Sequence, residues 1–415
     1  MTHLDAHALS QLQTLAGYAI FLGSYLVFAL GKLPGMKIDR PGAAVIGAVL
    51  LFALGIVGPA DALHSIDFST LVLLFSMMLI VAHLHLAGFF EWVADLLARR
   101  FRPAHLLPMV IVTSGVLSAF FVNDVVCLVM VPFVLGLTRR MRVPPLSFLL
   151  ALATASNIGS VATVTGNPQN MLIGSASGIG YRDFFWHLAP VAVAGLFVDW
   201  GVLHFLFRKE HAEAPPADIP LRHRPFDRRQ LRKPLLVIAG VLVGFFLGVA
   251  PALIAALGAA LMLITRTVEP RKVYDEVDWG LLVFFVGLFI IVGGAEKAGI
   301  IGQLLALTRT WNLHRTASFT LVVAALSNLV SNVPAVMLLK SLVPAFPNPH
   351  TGWLVLAGAS TLAGNLTITG SVANMIVAER ARGEVKIRFW DYFRVGLPIS
   401  LLTLALAGAW LWWIQ

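Results

Sequence analysis

Asp124 stands in Phe120-Phe121-Val122-Asn123-Asp124-Val125-Val126, a carboxylate with apolar neighbours inside a long apolar stretch. An ionisable side chain at membrane depth reads first as functional, either exchanging protons or helping to hold a cation. The same position also suits a plain cap for a helix that starts there. Three further polar clusters interrupt apolar runs: Thr165-Gly166-Asn167-Pro168-Gln169-Asn170, Ser331-Asn332-Val333-Pro334 and Thr369-Gly370-Ser371-Val372-Ala373-Asn374. At each break a polar residue precedes a new helical start: Asn123, Asn167 before Pro168, Asn332 shortly before Pro334, and Ser371. Asn and Ser cap helices well, and Pro suits the first turn. Helix N-termini offer unpaired N–H groups and partial positive charge, which can receive an anion or a hydroxyl-rich neutral solute.

Lipid cannot hydrogen-bond a broken backbone, so such breaks must be buried in protein or line a cavity. Four breaks at matching places point to one shared central site. The candidate substrate-binding residues are Asn123, Thr165, Gly166, Asn167, Ser331, Asn332, Thr369, Gly370 and Ser371, with Asp124 as the group coupling a proton or cation. Asn170, Asn328 and Asn374, with Asn157 and Asn365, form a second layer that braces the breaks. Val333 matches Asp124 in the later cluster, so the charge lies on one half. Cys127, one turn beyond Asp124, reads as a small buried hydrophobe, because one thiol cannot give the several-thiolate ligation that soft ions favour. Neither a resident metal nor a cofactor is called for.

The elements that position these residues come in two sets. Asp67 opens an apolar segment that runs into Ala87-Gly88, and Asp278 opens another, running into Ala298-Gly299, 211 residues later at both ends. Tyr181-Arg182-Asp183-Phe184-Phe185 is echoed by Phe389-Trp390-Asp391-Tyr392-Phe393. Two related apolar halves with polar interruptions are the pattern of a secondary transporter. The first repeat spans residues 1–207, with a re-entrant hairpin at 106–138 and a broken helix at 147–177. A cytoplasmic linker covers 208–233. The second repeat spans 234–415, with a hairpin at 317–343 and a broken helix at 352–379.

Of the 415 residues, 58% are hydrophobic and 12% charged, with mean hydropathy +0.84. A soluble domain carries roughly twice that charge, so the chain reads as an all-α polytopic membrane protein. The net charge of +9 does not imply nucleic acid, because the basic residues gather in short loops where they set topology. The N-terminus lacks the basic region of a signal peptide, so the first apolar segment reads as a retained span. With the hairpins entering and leaving on one side, basic loops at 32–40, 99–102, 139–142, 208–233, 266–272 and 380–388 all fall inside. Each half then holds five transmembrane spans plus one hairpin, one of the spans being discontinuous. An odd number of crossings inverts the second repeat and places both termini outside. The loop carrying Lys297, Arg309 and Arg315 fits poorly, since this topology puts it outside.

The four clusters together resemble the ion transporter superfamily over nearly the whole chain. The branch is similar to the citrate-transporter-like one, which includes arsenite efflux pumps of the ArsB type and sodium/proton antiporters of the NhaD type. The resemblance implies a scaffold domain, a moving transport domain holding the hairpins and broken helices, and frequent homodimers. Asn-Asp at the first tip matches the arsenite and sodium/proton members. Val-Asn-Asp and Ser-Asn-Val-Pro depart from the Ser-Asn-Thr tips of the divalent-anion symporters.

The reading is an alternating-access carrier in a bacterial cytoplasmic membrane. It exports arsenite, antimonite or a similar small oxyanion or its neutral acid, coupled to protons. A sodium/proton antiporter and a di- or tricarboxylate carrier are the alternatives, and docking of a cytoplasmic ATPase stays open. Motifs of hydrolytic or metal enzymes such as His-Glu-x-x-His and Gly-x-Ser-x-Gly do not occur.

Overall fold

The computed structural model describes residues 3–31, 35–100, 105–212, 228–264, 268–307 and 311–414. All elements among these residues are helical. The first series is α1 (His3–Leu30), α2 (Arg40–Ala53), α3 (Pro59–Ser65), α4 (Phe68–Leu86) and α5 (Phe89–Arg100), then α6 (Leu106–Phe120), α7 (Asn123–Met141), α8 (Leu146–Ser160), α9 (Pro168–Ser177) and α10 (Tyr181–Ala212). The second is α11 (Arg228–Phe246), α12 (Pro251–Leu263), α13 (Pro270–Asp275), α14 (Trp279–Lys297) and α15 (Ile300–Leu307), then α16 (Thr316–Val330), α17 (Asn332–Leu339), α18 (Pro349–Ala363), α19 (Val372–Ala381) and α20 (Phe389–Trp413). A 3-10 turn, Lys340–Ala345, continues α17, and another, Ile368–Gly370, precedes α19.

The repeated Asp and Ala-Gly marks are the start and stop of one helix in each series. Asp67 accepts from the Thr70 N–H at 3.1 Å and caps α4, and Asp278 accepts from the Leu281 N–H at 2.9 Å and caps α14. Both helices end at a glycine in the left-handed region, Gly88 at φ 80° and Gly299 at φ 72°, where a Cβ would be strained. The short helices α3, α5, α13 and α15 lie where the sequence reading placed loops. Pro59 and Pro270 start α3 and α13, whose seven and six residues are too few for hydropathy to register. The linker assigned to 208–233 is helical at both ends: α10 continues to Ala212 and α11 begins at Arg228. Residues 213–227 of that assignment lie outside the described residues.

Packing separates two groups of helices. In one, α2 lies along α14, α4 along α12, and α1 and α11 flank them. A Cβ on Gly287 of α14 would come within 2.7 Å of the Ala44 backbone of α2, the close approach that small residues allow between membrane helices. In the other, α6 packs on α8, α16 on α18, and α7 on both α8 and α19. Helices α10 and α20 pair with each other and lean on α8 and α18.

The outer surface is apolar: Leu22, Leu26, Phe197, Phe205, Leu236, Leu247, Leu401 and Leu402 are all exposed. A soluble surface would not carry such a band. By length and composition, Leu12–Leu30, Phe68–Leu86, Tyr181–Arg208, Trp279–Lys297 and Phe389–Trp413 can cross a membrane. Trp186, Trp279, Trp390, Trp412 and Trp413 are exposed near helix ends, where tryptophans anchor at the interface. The chain is an integral membrane protein. Lys297, the misfit in the charge pattern, donates to Asp61 at 2.7 Å, so its charge is matched by an acid from the other half. The Lys297 ammonium holds the Asp61 carboxyl below the usual carboxylate range.

Candidate functional site

Both long polar-interrupted segments break where two helices meet at a tip. Helix α6 ends at Phe120, Phe121 and Val122 are extended or nearly so, and α7 starts at Asn123. Helix α16 ends at Val330, Ser331 turns the chain, and α17 starts at Asn332. Each tip is tied to the broken helix of its own half. The Asn123 N–H donates to the Gly166 carbonyl at 2.9 Å. With its amide nitrogen turned to the carbonyls, Asn332 donates to Gly370 at 3.2 Å and Ser360 at 3.0 Å.

The breaks themselves are braced in duplicate. Asn170 Nδ2 donates to the Ser160 and Thr163 carbonyls at 3.1 and 3.0 Å. Asn374 Nδ2 donates to the matching carbonyls of Gly364 and Thr367 at 2.7 and 3.0 Å. Asn328 donates to the Ala363 carbonyl at 2.8 Å, at the end of α18. A Cβ on Gly166 would fall 2.2 Å from the Ser160 carbonyl oxygen, and one on Gly370 2.8 Å from that of Gly364. Only glycine lets each chain double back so closely.

The two breaks are then cross-linked by residues at one repeat position, Asn157 in α8 and Thr361 in α18. Asn157 Oδ1 accepts from Asn123 Nδ2 and from the Ser371 hydroxyl, both at 2.9 Å. Its Nδ2 donates to Asn365 Oδ1 at 2.8 Å and Asn374 Oδ1 at 2.9 Å. Thr361 Oγ1 accepts from Asn167 Nδ2 at 3.2 Å and Gln169 Nε2 at 3.1 Å. Each half therefore holds the other half's break.

Between the two helix groups lies a cavity of about 320 Å³. Asn123, Asp124, Ser331, Asn332, Val333 and Ser371 line it from the breaks, with Gln169 beside them. Asp39, Arg40 and Asp278 face them from α2 and α14. Helices α7, α17 and α19 start at this cavity with no side chain capping their N-termini. Helix α9 differs, because Asn167 accepts from the Asn170 N–H at 2.8 Å. On the facing wall, Asp39 and Asp278 cap α2 and α14, and Arg40 Nε donates to the Phe28 carbonyl at 3.0 Å. Arg40 and Asp278 share this one cavity with Asp124. The cavity thus sets donors from three helix N-termini against three carboxylates and one guanidinium.

Several sequence candidates lie elsewhere. Thr165 is buried with its hydroxyl 2.9 Å from that of Tyr181. Gly166, Asn167 and Gly370 sit behind the cavity as bracing, and Thr369 is exposed, 3.4 Å from Thr367 Oγ1. None of these five is among the cavity-lining residues. No Arg or Lys lies near the breaks in sequence, but α2 brings Arg40 to the cavity. Asp39, Arg40 and Asp278 were missed because folding, not spacing, unites them with the breaks. The available signal was Asp278, already legible as a repeat mark and helix cap. Cys127 is buried with Sγ 3.0 Å from Ser156 Oγ. Asp199 accepts from the Thr154 hydroxyl at 2.7 Å, and His204 stacks on Trp200.

Comparison with known proteins agrees with this architecture. Residues 25–363 match the family described as citrate transporter. A 46 kDa membrane protein of Mycobacterium leprae is 33% identical, with 95% of this chain and 97% of that protein covered. A silicon efflux transporter of Oryza sativa subsp. japonica is 31% identical over 96% of this chain and 98% of its own. A putative arsB transporter of Dictyostelium discoideum is 24% identical, covering 89% and 86%. The YdaH transporter of Alcanivorax borkumensis shares the fold, with a TM-score of 0.55 at 15% identity over 98% of both chains. The chain belongs to the citrate transporter family and is a membrane transporter, not an enzyme.

Proposed function

We propose that the protein exports a small uncharged metalloid hydroxide, arsenous or antimonous acid first, by alternating access coupled to protons. The observation that carries this reading is the cavity's pairing of uncapped helix N-termini with carboxylates. Backbone N–H groups suit hydroxyl oxygens, and carboxylates suit hydroxyl protons, so a solute offering both and bearing no net charge fits best. With Asp39, Asp124 and Asp278 against Arg40 alone, the side chains repel a di- or tricarboxylate. The silicon efflux relative adds support, since silicon dissolves as an uncharged hydroxide at neutral pH.

Asp124 is the coupling residue, because it alone among the carboxylates sits on a hairpin tip. The group α6–α9 with α16–α19 is the moving transport domain, and α1–α4 with α11–α14 the scaffold. The two series are inverted repeats in a bacterial cytoplasmic membrane with both termini outside. The cavity wall formed by the starts of α2 and α14 then lies toward the cytoplasm.

The test is arsenite accumulation in everted vesicles energised by a proton gradient, comparing the parent with Asp124→Asn. Uptake that vanishes in the variant supports the reading. No uptake of arsenite or antimonite by the parent under any gradient removes this substrate. The excess of carboxylates also favours a sodium/proton antiporter. That reading expects sodium-dependent proton movement with no metalloid present.

A further inference from the structure

Away from the cavity, the first turn of α10 meets the first turn of α18. Asp183 lies between two histidines there. His350 Nε2 is 2.7 Å from Asp183 Oδ2, and His187 Nδ1 is 2.8 Å from the Asp183 carbonyl oxygen and 3.1 Å from its Oδ1, which leaves His187 Nε2 for an ion. The two imidazole rings stand edge to face with centroids 5.0 Å apart. One ligand atom from each of the three residues lies within 4.8 Å of the others. All three side chains are a third to a half exposed, so an ion in solution can reach them.

From these positions we infer that Asp183, His187 and His350 form a binding site for a borderline divalent transition ion of the zinc class. Two imidazoles and one carboxylate are the donor set such ions prefer, while magnesium and calcium prefer oxygen alone. Three protein ligands leave a coordination position for water. The platforms are fixed before the ion arrives. His187 and Asp183 are one turn apart on α10, and the Trp410 indole donates to the His187 carbonyl at 2.8 Å. Asn348 caps α18 two residues before His350.

The repeat supplies a control. Asp391 matches Asp183 in the second series and caps α20, accepting from the Arg388 N–H at 3.1 Å. At that place there is Val395 where the first series has His187, and Leu146 of α8 matches His350. Helix capping accounts for Asp391, but it does not account for two histidines gathered around Asp183. Among the described residues the site occurs once, and it joins the two halves, so a bound ion staples α10 to α18.

The experiment uses purified full-length protein without a polyhistidine tag, stripped by chelator and titrated with Co²⁺. The expected result is one saturable equivalent with visible d–d absorption, displaced by one equivalent of Zn²⁺. Zn²⁺ should also raise the thermal midpoint. Asp183→Asn, His187→Ala and His350→Ala should each weaken Co²⁺ binding by at least about tenfold. His204→Ala, on the same helix but stacked on Trp200, should bind as the parent does. Absence of a saturable equivalent, or three variants binding as tightly as the parent, overturns the site. Because the site is distant from the cavity, that result leaves the transport reading untouched.

Discussion

The two hairpin tips stand 209 residues apart at Asn123 and Asn332, and they reach the same cavity by different means. At the first, Val122 has an ordinary backbone, φ −58° and ψ 119°, and Asp124 brings a charge. At the second, Ser331 takes φ 77° and ψ 160°, a region open almost only to glycine, and the residues that follow are Val333 and Pro334. Behind the tips the copying is close: Asn170 and Asn374 hold matching carbonyls. The difference teaches where repeated architecture stops constraining sequence. A break in a buried backbone must be hydrogen-bonded in both halves, whereas the tip residues beside the cavity differ between the halves. At the tips themselves, the charge lies on the first half and the backbone strain on the second.

Exchanging the charged position is the severest challenge to that contrast. Asp124→Asn keeps shape and hydrogen bonding but removes the titratable group, so gradient-driven arsenite uptake in everted vesicles should fall to the level of empty vesicles. Val333→Ala, at the matching position, should leave uptake within a few-fold of the parent. Equal losses would mean that both tips couple, and the asymmetry would lose its functional sense.

The cross-linking residues come next. Asn157→Ala strips partners from Asn123, Ser371, Asn365 and Asn374 together. Buried polar groups left unpaired are costly, so this variant should lose roughly 2–4 kcal/mol in detergent unfolding. Thr361→Ala frees only the amides of Asn167 and Gln169 and should cost about 1 kcal/mol. If the two costs matched, the network would be as symmetric as the bracing behind it.

How much of this was legible follows the same division. The helix starts at Asp67 and Asp278 and the stops at Gly88 and Gly299 could be read directly, because capping and left-handed turns depend on residues within a few positions. Of the candidate residues read from the sequence, Asn123, Asp124, Ser331, Asn332 and Ser371 line the cavity. Thr165 and Asn167 looked equivalent to them in sequence, yet they face Tyr181 and Thr361 instead. Which side of a broken helix faces the cavity depends on the other half's packing. Arg40 was invisible for the same reason, since nothing local connects it with residues 84 positions later. Short helices such as α3 escaped because seven residues carry too little periodicity to register.

Backbone strain offers the finest discrimination between the tips. Ser331→Gly removes a Cβ from a conformation that costs an ordinary residue about 1–3 kcal/mol. Greater freedom of glycine in the unfolded chain offsets part of that gain, by about 0.5–1 kcal/mol. The variant should therefore unfold about 1 kcal/mol harder than the parent. Val122→Gly has no strain to relieve and loses a fully buried side chain, so it should be destabilised by at least about 1 kcal/mol. Opposite signs in the two unfolding midpoints would locate the strain at the second tip alone. Destabilisation by both substitutions would instead mean that the Ser331 side chain holds its turn more firmly than its backbone resists it.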